Sequence, residues 1–216
     1  MQNLISLKTK GLARHLGFPT RLNGLNCSTL QRGLVFLVTM ILLVGTIAAQ
    51  NNKETKQARR LMTEGQRLVD EGSEASFRKA IEKFETVRIL AHSLNEIVLE
   101  ADMLSAIGIL YLQLEQYQKA IEKFEQSLPL WRAAGDRKQE ARSLKELGLI
   151  QNVLGERQKA LDNLSQAVLL SRAAGDRDAE AQALVLIGSI HCGLGKCEES
   201  LPYLNKALEL CRHRFS

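Results

Sequence analysis

The side chains that could carry chemistry lie close together near the end of the 216-residue chain. They are the imidazole and thiol groups of His191, Cys192, Cys197, Cys211 and His213. Such groups could bind zinc or form a cysteine–histidine nucleophile pair. Their spacing, however, matches no zinc-ligand pattern and no disulfide framework. We therefore expect the cysteines to act as small apolar packing residues, with no metal site, no cofactor and no catalytic residue.

The distribution of charge argues against a nucleic-acid partner. The chain has a net charge of +5, which by itself would suit such a partner. The first 50 residues hold five bases and no acid, so the remaining residues balance 24 bases against 24 acids. The excess belongs to a basic N-terminal tail, residues 1–33, where we expect no packed structure. Basic residues in such a tail are typical of targeting or membrane-flanking sequence.

An uncharged run, residues 34–49, follows the tail and has polar sequence on both sides. With Gly33 it reaches about the lower length limit of a membrane-spanning helix. It predicts either a single-pass transmembrane anchor or the apolar part of a signal peptide, cleaved near Ala48 and followed by export. Bases flank both ends and leave the side of the membrane open. Residues 50–57 are interpreted as a linker.

Beyond residue 58 the sequence repeats with a period of 40 residues. The heptapeptide KAIEKFE at 79–85 recurs unchanged at 119–125, and RAAGDR at 132–137 recurs at 172–177. A fixed period of this size is typical of a stacked repeat architecture. Within each period, apolar residues recur at spacings of three and four, which predicts helices. Gly135 is placed to end one helix and Asp136 to cap the next.

Small residues indicate where the two helices of a repeat unit touch. A glycine inside a helix costs up to about 1 kcal/mol relative to alanine, which close helix approach can offset. We expect the first-helix glycines to face small residues of the second helices, beside large ones. These structural positions are Gly108, Ala120, Phe124, Gly148, Ala160, Leu164, Gly188, Ser200 and Leu204. In the first unit an insertion of three residues between Gly65 and Ala80 predicts a longer turn near residues 72–76.

The residues Leu104, Gly108, Tyr111, Ala120 and Phe124 resemble the tetratricopeptide repeat, and the later units repeat the pattern. The 40-residue period and the Gly-Asp-Arg junction resemble the longer Pins/LGN-type and kinesin-light-chain-like repeats. The resemblance implies an all-α fold, a right-handed superhelical solenoid of antiparallel helix pairs over residues 58–216, behind the N-terminal hydrophobic segment. The four units are expected at about 58–98, 101–135, 141–175 and 181–213.

In this family partners bind on a concave side, which is lined by the first helices. Twelve residues off the packing stripe are expected there: Asp102, Ser105, Ile109, Leu112, Arg142, Lys145, Leu149, Asn152, Gln182, Val185, Ser189 and Cys192. The bases at 142 and 145, which nearby acids do not obviously neutralise, suit a partner with acidic groups. The aliphatic residues at 109, 149 and 185 offer apolar anchoring. The alternative for each position is a solvated helix face.

The resemblance implies a non-catalytic protein–protein interaction adaptor that binds a peptide or partner protein and is tethered to a membrane. One alternative is a structural assembly protein that stacks on itself through its last, uncapped repeat. Another is a fragment of a longer regulatory array that lacks its effector domain. A third, an enzyme built on the cysteine–histidine cluster, has no other support in the sequence.

Overall fold

The structure, a computed structural model, describes the backbone of residues 27–212 and the side chains of residue 46 and residues 48–212. This part of the chain is helical throughout, with short turns between helices, which confirms the all-α prediction for it. The helices are α1 (Cys27–Asp70), α2 (Glu74–Ser93), α3 (Ile97–Gln113), α4 (Tyr117–Ala134), α5 (Arg137–Val153), α6 (Arg157–Ala173), α7 (Arg177–Gly193) and α8 (Cys197–Arg212). From α2 onward each helix packs against the next one, and α5 also contacts α7.

The N-terminal part of the chain is assigned to a unit of its own, Met1–Gln50, and the repeats to Asn51–Ser216. Residues 27–33 of the predicted tail and residues 50–57 of the predicted linker are helical and belong to α1. Residues 1–26 lie outside the described residues, as do the side chains of 34–45 and 47 and all of His213. Among the residues that the structure describes, no helix combines the length and apolarity needed to cross a membrane.

The two helices of each pair pack closely where a glycine of the first helix lies against a large side chain of the second helix. A Cβ atom added to Gly148 would lie 2.6 Å from Leu164 Cγ and 3.1 Å from the Ala160 carbonyl oxygen. A Cβ atom at Gly65 would overlap the Phe84 ring at Cε1. Gly108 faces Phe124, and Gly188 faces Leu204, in the same way. The small residues beside these contacts, Ala120, Ala160 and Ser200, are buried.

In the first helix pair, α1 and α2, the three inserted residues do not lengthen the turn. The turn between α1 and α2 is residues 71–73, and the turns of the later pairs are equally short, at 114–116, 154–156 and 194–196. The insertion instead extends the start of α2, where the hydroxyls and backbone N–H groups of Ser73 and Ser76 bond each other reciprocally. The prediction of a longer turn near residues 72–76 is therefore wrong, because this capping box starts the helix about one turn earlier.

The last two junctions between units share one arrangement, which fixes where α5 and α7 begin. Gly135 ends α4 with a φ of 70°, a left-handed conformation that glycine adopts without strain. Asp136 then accepts hydrogen bonds from the backbone N–H groups of Lys138 and Gln139. An ion pair crosses each of the last two junctions, Arg132 to Glu140 at 2.6 Å and Arg172 to Glu180 at 2.7 Å.

Candidate partner-binding groove

Two adjoining cavities lie along the first helices of three consecutive units. The first has a volume of about 430 Å³, and the residues that line it include Ser105 and Ile109 of α3 and Arg142 of α5. The second has a volume of about 480 Å³ and is lined by residues of α5, α7 and α8, among them Leu149, Val185 and Cys211. Lys145, Glu146, Asp178 and Gln182 line both cavities. We call the two cavities together the groove.

Two of the residues that line both cavities are joined by a hydrogen bond. Lys145 Nζ donates to Gln182 Oε1 at 2.8 Å and lies 3.1 Å from Glu146 Oε1. Arg142 Nη2 lies 4.0 Å from Asp176 Oδ2. Both bases therefore face a carboxylate, which the sequence alone did not make obvious, and Arg142 holds its carboxylate at the longer distance. The two bases differ in solvent exposure. The side chain of Arg142 is 58% exposed, whereas that of Lys145 is 19% exposed.

The apolar residues of the groove are unusually accessible for their type. Ile109 is 47% exposed and Val185 is 46% exposed, whereas their helices bury Ile107, Leu184 and Ile187 almost completely. Leu149, which lies between these two residues in the sequence, is partly buried. Scattered exposed aliphatic residues are common on protein surfaces. Here, however, they line cavities on neighbouring first helices, so the groove offers apolar contact at more than one point.

Other predicted groove residues are engaged elsewhere in the fold. Ser105 Oγ accepts a hydrogen bond from Trp131 Nε1 at 3.1 Å, although Ser105 also lines the first cavity. Ser189 Oγ donates to the Leu186 carbonyl oxygen at 2.8 Å. Leu112 packs against a hydrophobic core that includes Leu144 and Leu147. Asn152, Ser189, Leu112 and Cys192 do not line the two cavities.

Asp102 also lies outside the lining of both cavities, in a partly buried position on α3. Burial disfavours its charged form, and the charge of Asp136 adds repulsion, so the pKa of the Asp102 carboxyl is raised above its ordinary value. Asp136 is meanwhile committed to capping α5. The carboxyl of Asp102 therefore holds its proton more tightly than an exposed aspartate would.

Sequence reasoning missed several residues that line the groove, namely Gln139, Glu146, Asp176, Asp178, Ala179 and Leu186. Asp178 precedes Gln182 by four residues, so helical spacing alone places it on the same face. Asp176 is the repeat equivalent of the capping residue Asp136, and it caps α7. Its approach to Arg142 depends on how α5 and α7 pack together, which the spacing within one helix does not encode.

The cysteine–histidine cluster differs from its prediction. Cys192, Cys197 and Cys211 are free and exposed, so the expectation that they serve as apolar packing residues is wrong. His191 instead stacks on Tyr203, with ring centroids 5.4 Å apart and an interplanar angle of 8°. Within the described residues, no group of three or more His, Cys, Asp or Glu side chains is arranged to hold a metal ion.

Comparison with solved structures places the helix pairs among known repeat proteins. MamA is 21% identical over 73% of this chain and 80% of its own, with a TM-score of 0.55. Aspartyl phosphate phosphatase F from Bacillus subtilis is 17% identical over 74% of this chain and 42% of its own, with a TM-score of 0.68. Nearly identical TPR-like repeats of a Podosopora anserina protein described as a kinesin light chain are 16% identical over 74% and 75%, with a TM-score of 0.55.

At these identities the likeness shows the fold alone, and the chain spans less than half the length of the phosphatase. No curated protein matches the chain. The sequence profile of the family described as tetratricopeptide repeat matches residues 99–168 and 150–213, which together make up more than half of the chain. The matched residues span helices α3 to α8 with their repeated glycine contacts and capped junctions, and the chain belongs to the tetratricopeptide repeat family.

Proposed function

We propose that this protein is a non-catalytic adaptor that binds a peptide segment of a partner protein in the groove. The observation that carries the proposal is the pair of adjoining cavities, in which Ile109 and Val185 are accessible on either side of the charged residues. A bound peptide would place two apolar side chains at these points. Apolar anchors that fill pockets supply much of the affinity in peptide recognition, while polar groups fix the register.

The partner's peptide also carries an acidic group, which lies against Arg142. This guanidinium is more than half exposed, and its nearest carboxylate is 4.0 Å away, so it keeps donors available for a charge-assisted hydrogen bond. Lys145 contributes less, since it already bonds Gln182 and Glu146. Added salt should weaken the complex, because exposed charges are screened.

A pair of matched double variants tests the site. Ile109→Ser with Val185→Ser removes the two apolar contacts in the groove. Ile89→Ser with Leu169→Ser removes aliphatic side chains of similar exposure, 59% and 63%, from the second helices α2 and α6. After crosslinking in cells, the proteins captured by the wild type and by the second-helix variant should be lost from the groove variant. Equal capture by both folded variants would place binding outside the groove.

The charge requirement has its own pair of variants. Arg142→Glu should reduce capture by the full chain, whereas Arg157→Glu, which makes the same charge change at the start of the second helix α6, should not. If the two variants capture the partner equally, the partner's acidic group is not bound at Arg142, and the apolar part of the proposal stands or falls on the serine variants alone.

Membrane tethering by residues 34–49 is the second part of the proposal. It is supported by the uncharged sequence between polar flanks, at about the minimum spanning length. Full-length protein should remain with membranes after high-salt and carbonate washing, and a version that begins at Gln50 should not. A soluble full-length chain would refute the anchor. A shortened product that begins near Ala48 or Ala49 would instead identify a cleaved signal peptide.

Self-stacking is an alternative that one observation favours. Leu201, Leu204 and Leu208 of α8 are 55%, 38% and 49% exposed, whereas Leu164 and Val168, at equivalent positions of α6, are buried. Light scattering of residues 51–216 distinguishes the adaptor from the self-stacking assembly protein. An adaptor remains monomeric at micromolar concentration, while an assembly protein forms larger species that Leu201→Ser with Leu208→Ser disperses.

A further inference from the structure

The turn between α7 and α8 brings two thiols together. Cys192 lies in the last turn of α7 and Cys197 is the first residue of α8. The Cys197 thiol points back at the end of α7, where its Sγ lies 3.8 Å from the Cys192 carbonyl oxygen that accepts its hydrogen bond. The side chains are near neighbours, because the Cys197 thiol acts on the protonation of the Cys192 thiol and raises its pKa. Both residues are exposed, so a reagent in solution can reach them.

The backbone of the turn holds this contact in place. The N–H group of Gly195 donates to the Cys192 carbonyl oxygen at 2.9 Å, and that of Lys196 donates to the His191 carbonyl oxygen at 3.0 Å. Gly195 has a φ of 77°, which reverses the chain between the two helices. The matching positions of the earlier units hold Leu112 with Tyr117 and Asn152 with Arg157. The thiol pair is thus a feature of the last helix pair and not of the repeat pattern.

We propose that Cys192 and Cys197 are a thiol-modification site that closes to an intramolecular disulfide. The oxidant is a low-molecular-weight disulfide of the glutathione class. One protein thiolate attacks this disulfide, forms a mixed disulfide and releases one small thiol. The second protein thiol then attacks the protein sulfur of the mixed disulfide and releases the other small thiol. Two protein thiols are oxidised, one small disulfide is reduced, and the two protons end on the released thiols.

The exposure of both thiols lets either one make the first attack, and the other then resolves the mixed disulfide. The product ties the end of α7 to the start of α8 and restrains the opening of this helix pair.

The sequence provides a direct readout for the full-length protein. Trypsin cleaves after Arg177, Lys196, Lys206 and Arg212, so Cys192, Cys197 and Cys211 fall on three separate peptides. After treatment with oxidised glutathione, peptides 178–196 and 197–206 should appear joined, at the sum of their masses less two hydrogen atoms. The protein should run as a monomer on a non-reducing gel, and dithiothreitol should separate the two peptides.

Two single variants and a melting experiment complete the test. Cys211→Ser should form the same linked pair as the wild type, and Cys192→Ser should lose it and accumulate glutathione on Cys197. Oxidation should raise the Tm of the wild type by a few degrees, as expected for a crosslink across a short loop, and should not raise that of Cys192→Ser. The proposal is overturned if peptide 178–196 is joined mainly to 207–212, if covalent dimers predominate, or if both thiols retain glutathione without closing.

Discussion

Substitution of Gly148 by leucine tests the close contact on which each helix pair depends. A Cβ atom there would lie 2.6 Å from Leu164 Cγ and 3.1 Å from the Ala160 carbonyl oxygen, and leucine adds three further carbons. Overpacking costs about 1–3 kcal/mol, and more where backbone must move. The gain in helix propensity is below about 1 kcal/mol. With about 2–4 °C for each kcal/mol in a domain of this size, overpacking alone lowers the Tm by roughly 2–12 °C, and the propensity gain offsets at most about 4 °C of that fall.

Gly193 supplies the matched control. It is the last residue of α7, is exposed, and has no atom within 4 Å of the Cβ position. Gly193→Leu should therefore leave the Tm within about 2 °C of the wild type. Circular dichroism of residues 51–216 during heating and in urea measures both variants. A normal melting curve for Gly148→Leu would show that the two helices do not pack closely at this glycine.

A double variant separates steric conflict from a general loss of helix stability. Leu164 is fully buried, so Leu164→Ala alone should cost about 2–5 kcal/mol through the cavity it leaves. Combined with Gly148→Leu, the new leucine occupies part of that cavity. The double variant should then be more stable than the sum of the two losses predicts, by about 0.5–3 kcal/mol. Strict additivity would contradict a direct contact between the two positions.

Two further predictions concern charged groups. Asp102→Asn should raise stability at pH 7, because burial and the Asp136 charge raise the pKa of Asp102. The folded wild type binds more protons than the unfolded chain between the ordinary and the raised pKa, so the advantage of the variant should vanish as pH falls below that window. Lys123→Met should cost about 1–2 kcal/mol at pH 7, because burial raises the pKa of Glu85 but its bonds to cations, Lys123 above all, lower it overall. That loss should shrink as pH falls through the lowered pKa of Glu85, and Lys159→Met, at an exposed pair, should have little effect.

The sequence was sufficient to predict the helix contacts, helix ends and helix caps within and next to one repeat unit. The glycine and alanine positions, the glycine that ends α4 and the aspartate that caps α5 all follow from spacing within one or two helices. The turn of the first pair shows the limit of this approach. Gly65 and Ala80 revealed an insertion, but a serine capping box decided that it lengthens α2, and two serines three residues apart are a weak sequence signal beside a nearby glycine.

The groove depends on contacts between repeat units, which the sequence pattern within one unit does not specify. Arg142 faces Asp176 and Lys145 faces Gln182 because α5 and α7 lie side by side, and these partners are nearly a full period apart in sequence. Helical spacing placed both bases correctly on α5 but could not pair them across units. The same reasoning explains the cysteines, whose exposure at a turn depends on what packs beside α8. A repeat thus specifies its scaffold locally, whereas the lining of its groove is set by contacts between units at positions where the repeats differ. We therefore expect partner specificity to change most when the residues at 142, 145 and 182 are exchanged as a set, since each alters the setting of the others.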